Sequence, residues 1–258
     1  MMARAKRAAA GVPGARALYA GALRAVAWTR VAREFTQFRR DSIRDRPNLV
    51  PEWRDRLFML HNRTADTPFD RHYVYHTAWA LRRLLAHRPA AHVDVSSSIY
   101  FVALGSAAIP MTHFDYRPPR LELPNLQCRP GDLLELPISS DSVGSLSCMH
   151  VLEHVGLGRY GDPLDPLGDV KGARELSRVL GRGGRLYFVA PVGRPRVCFN
   201  GHRIYDFDAL RSLFPALTLE ESALVPDEAT SAIVENPAPA MINAQEYGCG
   251  CFVFRKAG

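Results

Sequence analysis

Short apolar runs recur along the chain from residue 91 to the end, and polar turns or helical spacings separate them. Runs of this kind, when turn residues bound them, are typical of buried strands. The first five occur at 92–95, 111–114, 126–128, 143–148 and 185–190. Helical spacing precedes the fifth run and ends in a glycine-rich segment. Because strands that alternate with helices form parallel sheets, the pattern predicts an α/β domain.

The pattern changes towards the end of the chain. A helix is predicted near 206–213, and two further strands are predicted at 217–224 and 251–254. A strand that follows another strand indicates an antiparallel edge. The sequence therefore predicts seven strands, most of them parallel.

The first 90 residues have helical periodicity instead. Leu18, Leu23, Val26 and Phe35 fall on one face of a helix over 15–44, and arginines occupy much of the other face. Prolines end this helix, and the region 51–90 is predicted to be mostly helical, as a cap over the sheet. We divide the chain into a helical arm at 1–46, a helical cap at 47–90 and an α/β domain at 91–258.

The positive charge is concentrated in the arm. Residues 1–46 hold 11 Lys or Arg and three acidic residues, a net charge of +8, whereas the whole chain carries +7. A basic amphipathic arm fits peripheral contact with an anionic membrane, packing against a second subunit in a homodimer, packing on its own domain, or simple solvation. Nucleic acid is not an expected partner, because the remaining residues are about neutral and the arm lacks an aromatic platform.

Composition also indicates the compartment. No apolar run reaches the roughly 18 residues of a membrane span, and arginines interrupt the apolar residues near the N-terminus. The five cysteines have no framework spacing, so buried reduced thiols are expected. We expect a cytoplasmic protein, with a peripheral position on the inner face of the membrane left open.

Two motifs are set aside. Residues 156–161 fit the dinucleotide-binding pattern G-x-G-x-x-G, but they neither follow a strand directly nor open a helix. We interpret them as a shaped loop over the site. His72 and His76 are four residues apart on a predicted helix, but no third ligand is evident, so no metal site is predicted.

Polar residues follow the predicted strands, and an open α/β sheet binds its ligand at the carboxyl ends of its strands. Candidates for this position are Asp94, Ser96 and Ser97 after the first strand, Asp115 after the second, Asp132 and Leu133 after the third, and His150 after the fourth. Further polar residues, which would face the same cavity, are His154, Arg159, Tyr160, Asp162, Asn200, His202 and Arg203.

This order of signals resembles the class I S-adenosylmethionine-dependent methyltransferases. The loops at 156–166, 199–205 and 247–250 resemble those of a bacterial domain-of-unknown-function family of methyltransferase-like proteins, often encoded among surface-polysaccharide genes. The resemblance implies a Rossmann-like, mostly parallel seven-stranded sheet with an antiparallel edge strand, preceded by an N-terminal helical extension. It implies S-adenosylmethionine as the cofactor.

The resemblance also implies roles for the candidates. Asp115 would accept the ribose hydroxyls, while Asp132 and the Leu133 backbone N–H would hold the adenine. Asp94, Ser96 and Ser97 stand where the family has an acidic residue and a glycine-rich loop beside the methionine part of the cofactor, so the serines are a departure from the pattern. His150 is grouped with these cofactor residues.

Other residues would serve the acceptor. His154 and His202 are candidate bases, because histidine takes up protons near neutral pH, and Tyr160 is a third catalytic candidate. Arg159, Asp162, Asn200 and Arg203 are candidates for binding the substrate, although Asp162 could equally form a turn.

Three functions fit these observations. The first is O-methylation of a small-molecule or glycan substrate, such as a sugar intermediate in polysaccharide biosynthesis. The second is a catalytically inactive methyltransferase-like scaffold in a surface-polysaccharide assembly system, motivated by the serines after the first strand. The third is another transfer chemistry in the same cavity, such as glycosyl transfer.

Overall fold

The computed structural model describes residues 15–60, 62–228 and 230–258. Contacts divide the chain into two units, one ending at Pro68 and the other covering Phe69–Gly258, and each is described by itself. The predicted division at residues 46 and 90 stays a prediction.

The first unit contains one long helix, α1, at Ala15–Asp45, as the periodicity predicted. A short 3-10 turn, Trp53–Asp55, follows it. Trp28, Phe35, Trp53 and Phe58 meet edge to face, with ring centroids 5.2–6.4 Å apart. Residues 1–14, part of the basic arm, lie outside the described residues, and the predicted membrane contact and homodimer stay predictions.

The prediction that 51–90 is mostly helical was wrong in its first half. Helix α2 covers only Arg71–His87, and the described residues between the 3-10 turn and α2 form no helix. Turn-forming residues such as Asn62, Asp66 and Pro68 account for the difference, because they favour turns over helix interiors. Asp70 ends this stretch and caps α2, accepting a hydrogen bond from the Tyr73 backbone at 3.1 Å.

The second unit is built on one large sheet. The strands of this unit are β1 His92–Val95, β2 Met111–Asp115, β3 Leu126–Pro130, β4 Val143–Met149, β5 Leu180–Val192, β6 Arg196–Cys198, β7 His202–Ile204, β8 Leu217–Val225, β9 Val234–Glu235 and β10 Gly248–Lys256. Strands β6 and β7 pair with each other in a separate hairpin, and the other eight form the large sheet. The order across the sheet is β3-β2-β1-β4-β5-β10-β8-β9. Strands β1 to β5 are parallel, whereas β10 runs antiparallel to both β5 and β8.

The predicted mostly parallel sheet is therefore confirmed, and β10 is antiparallel as predicted, but it lies between β5 and β8 and not at the edge of the sheet. The sheet has eight strands where the sequence predicted seven. The additional strand, β9, has only two residues and pairs with Ala223 and Leu224 of β8. Strand β5 also begins earlier than predicted, because the glycine-rich segment at 181–184 belongs to it.

Helices cover both faces of the sheet. They are α2, α3 Ile99–Ser106, α4 Gly168–Val179, α5 Phe207–Leu213 and α6 Pro239–Asn243. Helices α2 and α3 pack with Tyr187 and Val189 of β5 in one core cluster. Helices α4, α5 and α6 pack with Leu186, Phe188 and Ala190 in the other. Successive residues of β5 thus alternate between two cores, as the two-residue period of a strand requires.

Burial of large side chains in these cores stabilises the fold by about 1.5–3 kcal/mol each. Within the residues that the structure describes, no helix is both long and apolar enough to pass through a membrane.

Candidate functional site

A cavity of about 300 Å³ lies at the carboxyl ends of β1 to β4. The residues that line it after these strands include Ser96, Asp115, Asp132, Leu133 and His150. This is the edge of the sheet at which α/β folds bind ligands. We call it the strand-end cavity.

Asp115 and Asp132 are held by the turns that they begin. Asp115 Oδ1 accepts a hydrogen bond from the Arg117 backbone at 2.7 Å, and Asp132 Oδ1 accepts one from the Leu134 backbone at 2.8 Å. Each carboxylate is fixed through one oxygen, and within the described part of the chain no hydrogen bond to its Oδ2 is found. Two carboxylates held in this way can each accept a hydroxyl or amino donor.

The turn after β1 has a different construction. Ser96 lines the strand-end cavity, has a φ of +54° and donates its backbone N–H to the Phe114 carbonyl at 2.8 Å. A positive φ is uncommon for a residue with a side chain and is usual for glycine. Ser96 therefore keeps the backbone shape that the glycine-rich loop of the resembling family would provide.

Asp94 and Ser97 are not brought to the cavity, which corrects their expected role as direct contacts. The Asp94 carboxylate is fully buried and accepts hydrogen bonds from His113 Nδ1 at 2.8 Å, from the Ser97 backbone at 3.1 Å and from the Ser147 hydroxyl. The Ser97 hydroxyl accepts from the Met149 backbone at 3.0 Å. Both residues position the turn that carries Ser96.

The contact between Asp94 and His113 favours the charged form of both side chains. Burial alone would raise the pKa of Asp94, but the hydrogen bonds from His113, Ser147 and Ser97 outweigh burial and leave the pKa below its ordinary value. Burial likewise acts to lower the pKa of His113, but the hydrogen bond and charge of Asp94 raise it overall. The pair ties β1 to β2 beneath the cavity.

A second cavity of about 250 Å³ lies beside the first and shares His150, His154 and Tyr160 with it. We call it the histidine cavity. It is lined by Asp70, Arg71, His72, Tyr73, His150, Glu153, His154, Arg159, Tyr160, His202 and Tyr247. Any ligand in the histidine cavity is therefore adjacent to a ligand in the strand-end cavity.

Buried polar groups concentrate where the cavities meet. His150 Nδ1 lies 2.9 Å from Glu153 Oε1, and burial lowers the pKa of His150 to about 4. Burial raises the pKa of Glu153 to about 7. His150 is thus neutral near neutral pH and donates its Nδ1 hydrogen to Glu153. The other carboxyl oxygen, Glu153 Oε2, is buried without a hydrogen-bond partner among the described residues.

His154 has a defined orientation. Its Nδ1 lies 2.7 Å from the Gly201 carbonyl oxygen, so we assign the ring hydrogen to Nδ1. Nε2 then carries a lone pair, 3.7 Å from Glu153 Oε1. The Tyr160 ring stands edge-on to His154 at 5.8 Å between centroids. His154 can accept a proton from a group in the histidine cavity.

The loop at 156–161 closes one side of the strand-end cavity, as predicted for a shaped loop. Asp162 holds it, accepting backbone hydrogen bonds from Gly156 at 2.7 Å, Gly158 at 3.3 Å and Tyr160 at 3.1 Å. A Cβ on Gly156 would stand 2.1 Å from a backbone oxygen of Asp165, so only glycine fits there. Asp162 lines the strand-end cavity but is used mainly to form this loop.

The remaining candidate residues fall into two groups, those that line the histidine cavity and those that do not. Arg159 lines the histidine cavity and donates to the Gly201 carbonyl at 3.0 Å, and His202 lines it as well. Asn200 is exposed and lines neither cavity. Arg203 is buried and donates to the Val155 carbonyl at 2.7 Å. The predicted role in substrate binding is therefore wrong for both Asn200 and Arg203. Asn200 lies in the β6–β7 turn, and the Arg203 side chain is directed inward, where it holds a loop.

Sequence analysis missed the contribution of α2 and β10. Asp70, Arg71, His72 and Tyr73 come from the start of α2, and Tyr247 precedes β10. The local signals were the His72–His76 spacing and the resemblance of the 247–250 loop, and neither placed these residues at the cavity, because the α2 residues are distant in sequence from the strand ends that they meet. Their approach depends on how α2 packs on the sheet.

The comparisons with known proteins agree with this architecture. A family model described as "Caenorhabditis protein of unknown function, DUF268" matches residues 139–219, less than half of the chain. The search of curated proteins found no match. The resemblance to a bacterial surface-polysaccharide family is not confirmed by the matching model and stays a prediction.

Two solved structures, one of them a methyltransferase, are similar to this chain in fold. The N-methyltransferase NodS from Bradyrhizobium japonicum, in complex with S-adenosyl-L-homocysteine, has 16% sequence identity and a TM-score of 0.50, over 76% of this chain and 91% of that one. The YcgJ protein from Bacillus subtilis has 12% identity and a TM-score of 0.50, over 72% and 99%. The similarity confirms the predicted Rossmann-like methyltransferase fold.

Proposed function

We propose that the protein binds S-adenosylmethionine in the strand-end cavity and transfers its methyl group to an acceptor in the histidine cavity. One observation carries this proposal. Asp115 and Asp132 line a single cavity at the ends of neighbouring strands, and that cavity shares His150, His154 and Tyr160 with a second, polar cavity.

The residues of the strand-end cavity fit the parts of the cofactor. Asp115 would accept the two ribose hydroxyls through its carboxylate, and Asp132 would accept the adenine amino group. The Leu133 backbone N–H is beside Asp132 and would reach the adenine ring. Ser96 follows β1 and would lie against the methionine part of the cofactor. Its positive φ gives this turn the shape that lets the cofactor approach the backbone.

The acceptor would be a hydroxyl of a sugar or glycan intermediate. Tyr73, Tyr160 and Tyr247 give the histidine cavity aromatic walls, and His202 and Arg159 add hydrogen-bond donors. Rings of this kind cover the apolar faces of a sugar, while the donors bind its hydroxyl or acidic groups.

The reaction is a direct displacement. The acceptor oxygen attacks the methyl carbon, the carbon–sulfur bond breaks with its electron pair going to sulfur, and the acceptor proton passes to His154 Nε2. Because the methyl group is already activated, alignment contributes most, and positioning of this kind is worth about 7–11 kcal/mol. A histidine base adds about 10²–10⁴-fold.

The test is calorimetric titration with S-adenosylhomocysteine. We expect binding with a dissociation constant on the order of 1 µM. Asp115→Ala and Asp132→Ala should each weaken it by about tenfold or more, because each removes a charge-assisted hydrogen bond worth about 1.5–3 kcal/mol. Asp208→Ala, an exposed carboxylate in the first turn of α5, is the matched control and should bind like the parent protein.

Two results would contradict the proposal. A folded parent protein that releases no heat on titration would favour the alternative function, an inactive scaffold. That alternative is motivated by Ser96, which places a side chain at a glycine-like backbone position. Binding that neither aspartate variant weakens would place the ligand elsewhere.

A further inference from the structure

Three potential metal ligands from separate parts of the chain meet at the inner end of the histidine cavity. His72 lies in the first turn of α2, His150 follows β4, and Cys249 is the second residue of β10. One ligand atom from each residue lies within 4.8 Å of the other two. No metal was predicted from the sequence, because neither the His72–His76 spacing nor the tight Cys249–Cys251 spacing indicated a complete site.

The distance between two of these atoms is that of a formed site. Cys249 Sγ lies 3.5 Å from His150 Nε2. In a tetrahedral zinc centre, with Zn–S near 2.3 Å and Zn–N near 2.0–2.1 Å, the sulfur and nitrogen are roughly 3.6 Å apart. Zinc could therefore bind both residues without a rearrangement of either.

The surroundings orient the histidines as ligands. His150 directs Nε2 at the sulfur while Nδ1 donates to Glu153 Oε1 at 2.9 Å. The His72 ring stacks on the Tyr247 ring, with centroids 4.9 Å apart. Histidines that bind metals usually donate their second N–H to a carboxylate or a backbone carbonyl, which fixes the ring and its tautomer.

Two buried atoms beside the cluster have no partner within the described part of the chain. One is Glu153 Oε2, on the carboxylate that holds His150. The other is His76 Nε2, on a fully buried ring whose centroid lies 5.0 Å from that of His150. Native proteins rarely leave such atoms unsatisfied, and an ion or water is a common reason. A simple S–H···N hydrogen bond would also explain the 3.5 Å distance, and zinc loading distinguishes it from a metal site.

We propose that His72, His150 and Cys249 bind a zinc ion at the inner end of the histidine cavity. Two imidazoles and one thiolate suit zinc and disfavour magnesium or calcium, which prefer oxygen ligands. Three protein ligands leave the fourth position for water or substrate, as in catalytic zinc sites. His72 and His150 both line the histidine cavity.

The role of the ion in catalysis rests on the proposed function. There it would coordinate the acceptor hydroxyl and favour loss of its proton to His154, with no change in oxidation state. Binding of the ion itself does not depend on methyl transfer. The protein can therefore lack zinc and still bind S-adenosylhomocysteine, or bind zinc and not S-adenosylhomocysteine.

The test uses the full chain, kept reduced, stripped with a chelator, reloaded with zinc alone and desalted. Elemental analysis should find one zinc per chain. His72→Ala and Cys249→Ser should lose it, whereas the matched controls His202→Ala and Cys128→Ser should retain it. Glu153→Gln should weaken zinc binding by about 10–100-fold, because it removes the charge behind His150.

Cobalt substitution provides a readout that needs no variant. This protects the test if Cys249→Ser, which lies in the core, fails to fold. The parent protein loaded with Co²⁺ should show a thiolate-to-cobalt charge-transfer band and the intense visible bands of a tetrahedral site. A chain without zinc above background, a cobalt spectrum without the thiolate band, or a folded His72→Ala variant with one tightly bound zinc would overturn the proposal.

Discussion

Replacement of Asp94 by alanine tests how the sheet supports the strand-end cavity. The Asp94 carboxylate is fully buried and accepts three hydrogen bonds, one of them from His113. Removal of one partner of a buried ion pair costs about 3–5 kcal/mol. Since domains of this kind have a free energy of unfolding of about 5–15 kcal/mol, we expect Asp94→Ala to lose much of that stability.

The pH dependence of stability gives a sharper result. The pKa of Asp94 is lowered from 3.8, so its contribution is present above that value and is lost as pH falls through the folded pKa. The pKa of His113 is raised from 6.5, so its contribution is present below 6.5 and is lost as pH rises through the folded pKa. Between 3.8 and 6.5 the parent protein keeps both contributions.

Asp94→Ala should reverse this behaviour. Without the carboxylate, burial of the His113 ring disfavours its charged form and the pKa falls. The unfolded state then binds more protons, so the variant should lose stability as pH falls below 6.5, where the parent protein does not.

Urea denaturation followed by circular dichroism, at a series of pH values, measures both effects. Asp208→Ala is the control and should stay within about 0.5 kcal/mol of the parent protein. The reasoning is refuted if Asp94→Ala lowers the free energy of unfolding by less than about 1 kcal/mol, or if parent and variant respond identically to acid.

Four further substitutions, at Ser96, Asp162 and Arg203, test separate parts of the site. Ser96→Gly should leave stability within about 1 kcal/mol, because relief of the left-handed strain offsets the entropy of glycine. Ser96→Val should lower the free energy of unfolding by about 1–3 kcal/mol and weaken S-adenosylhomocysteine binding in calorimetry. Equal stability and equal binding in the Gly and Val variants would contradict this. Asp162→Ala should raise amide hydrogen exchange at 156–161, since three backbone N–H groups lose their acceptor, and unchanged exchange would show that the loop is held otherwise. Arg203→Leu should lower the thermal midpoint of unfolding, because Arg203 holds the Val155 carbonyl and Asp169. The folded variant should still bind S-adenosylhomocysteine. A stable variant that no longer binds it would place Arg203 in the site.

The sheet could be predicted from the sequence because its strands are local. Strands β1, β2 and β4 are short, mostly buried runs, and the structure places Asp115 and Asp132 at strand ends as the sequence pattern indicated. The two-residue strand β9 carries too few residues to show a period.

The errors concern the direction of side chains and contacts between distant segments. Asp94 lies within β1 in register with His113 of β2, so its side chain shares a face with that histidine. Alternation along β1 could have revealed this, because a shift of one residue moves a side chain to the opposite face. The meeting of His72 with Cys249 had no such signal, since it depends on how α2 packs on the sheet.

The structure of a complex with S-adenosylhomocysteine tests the central claim most directly. The account predicts the ribose hydroxyls on Asp115, the adenine amino group on Asp132, and the sulfur directed towards the histidine cavity. An adenosine bound anywhere else, or a strand-end cavity that stays empty at saturating ligand while the protein is folded, would contradict it.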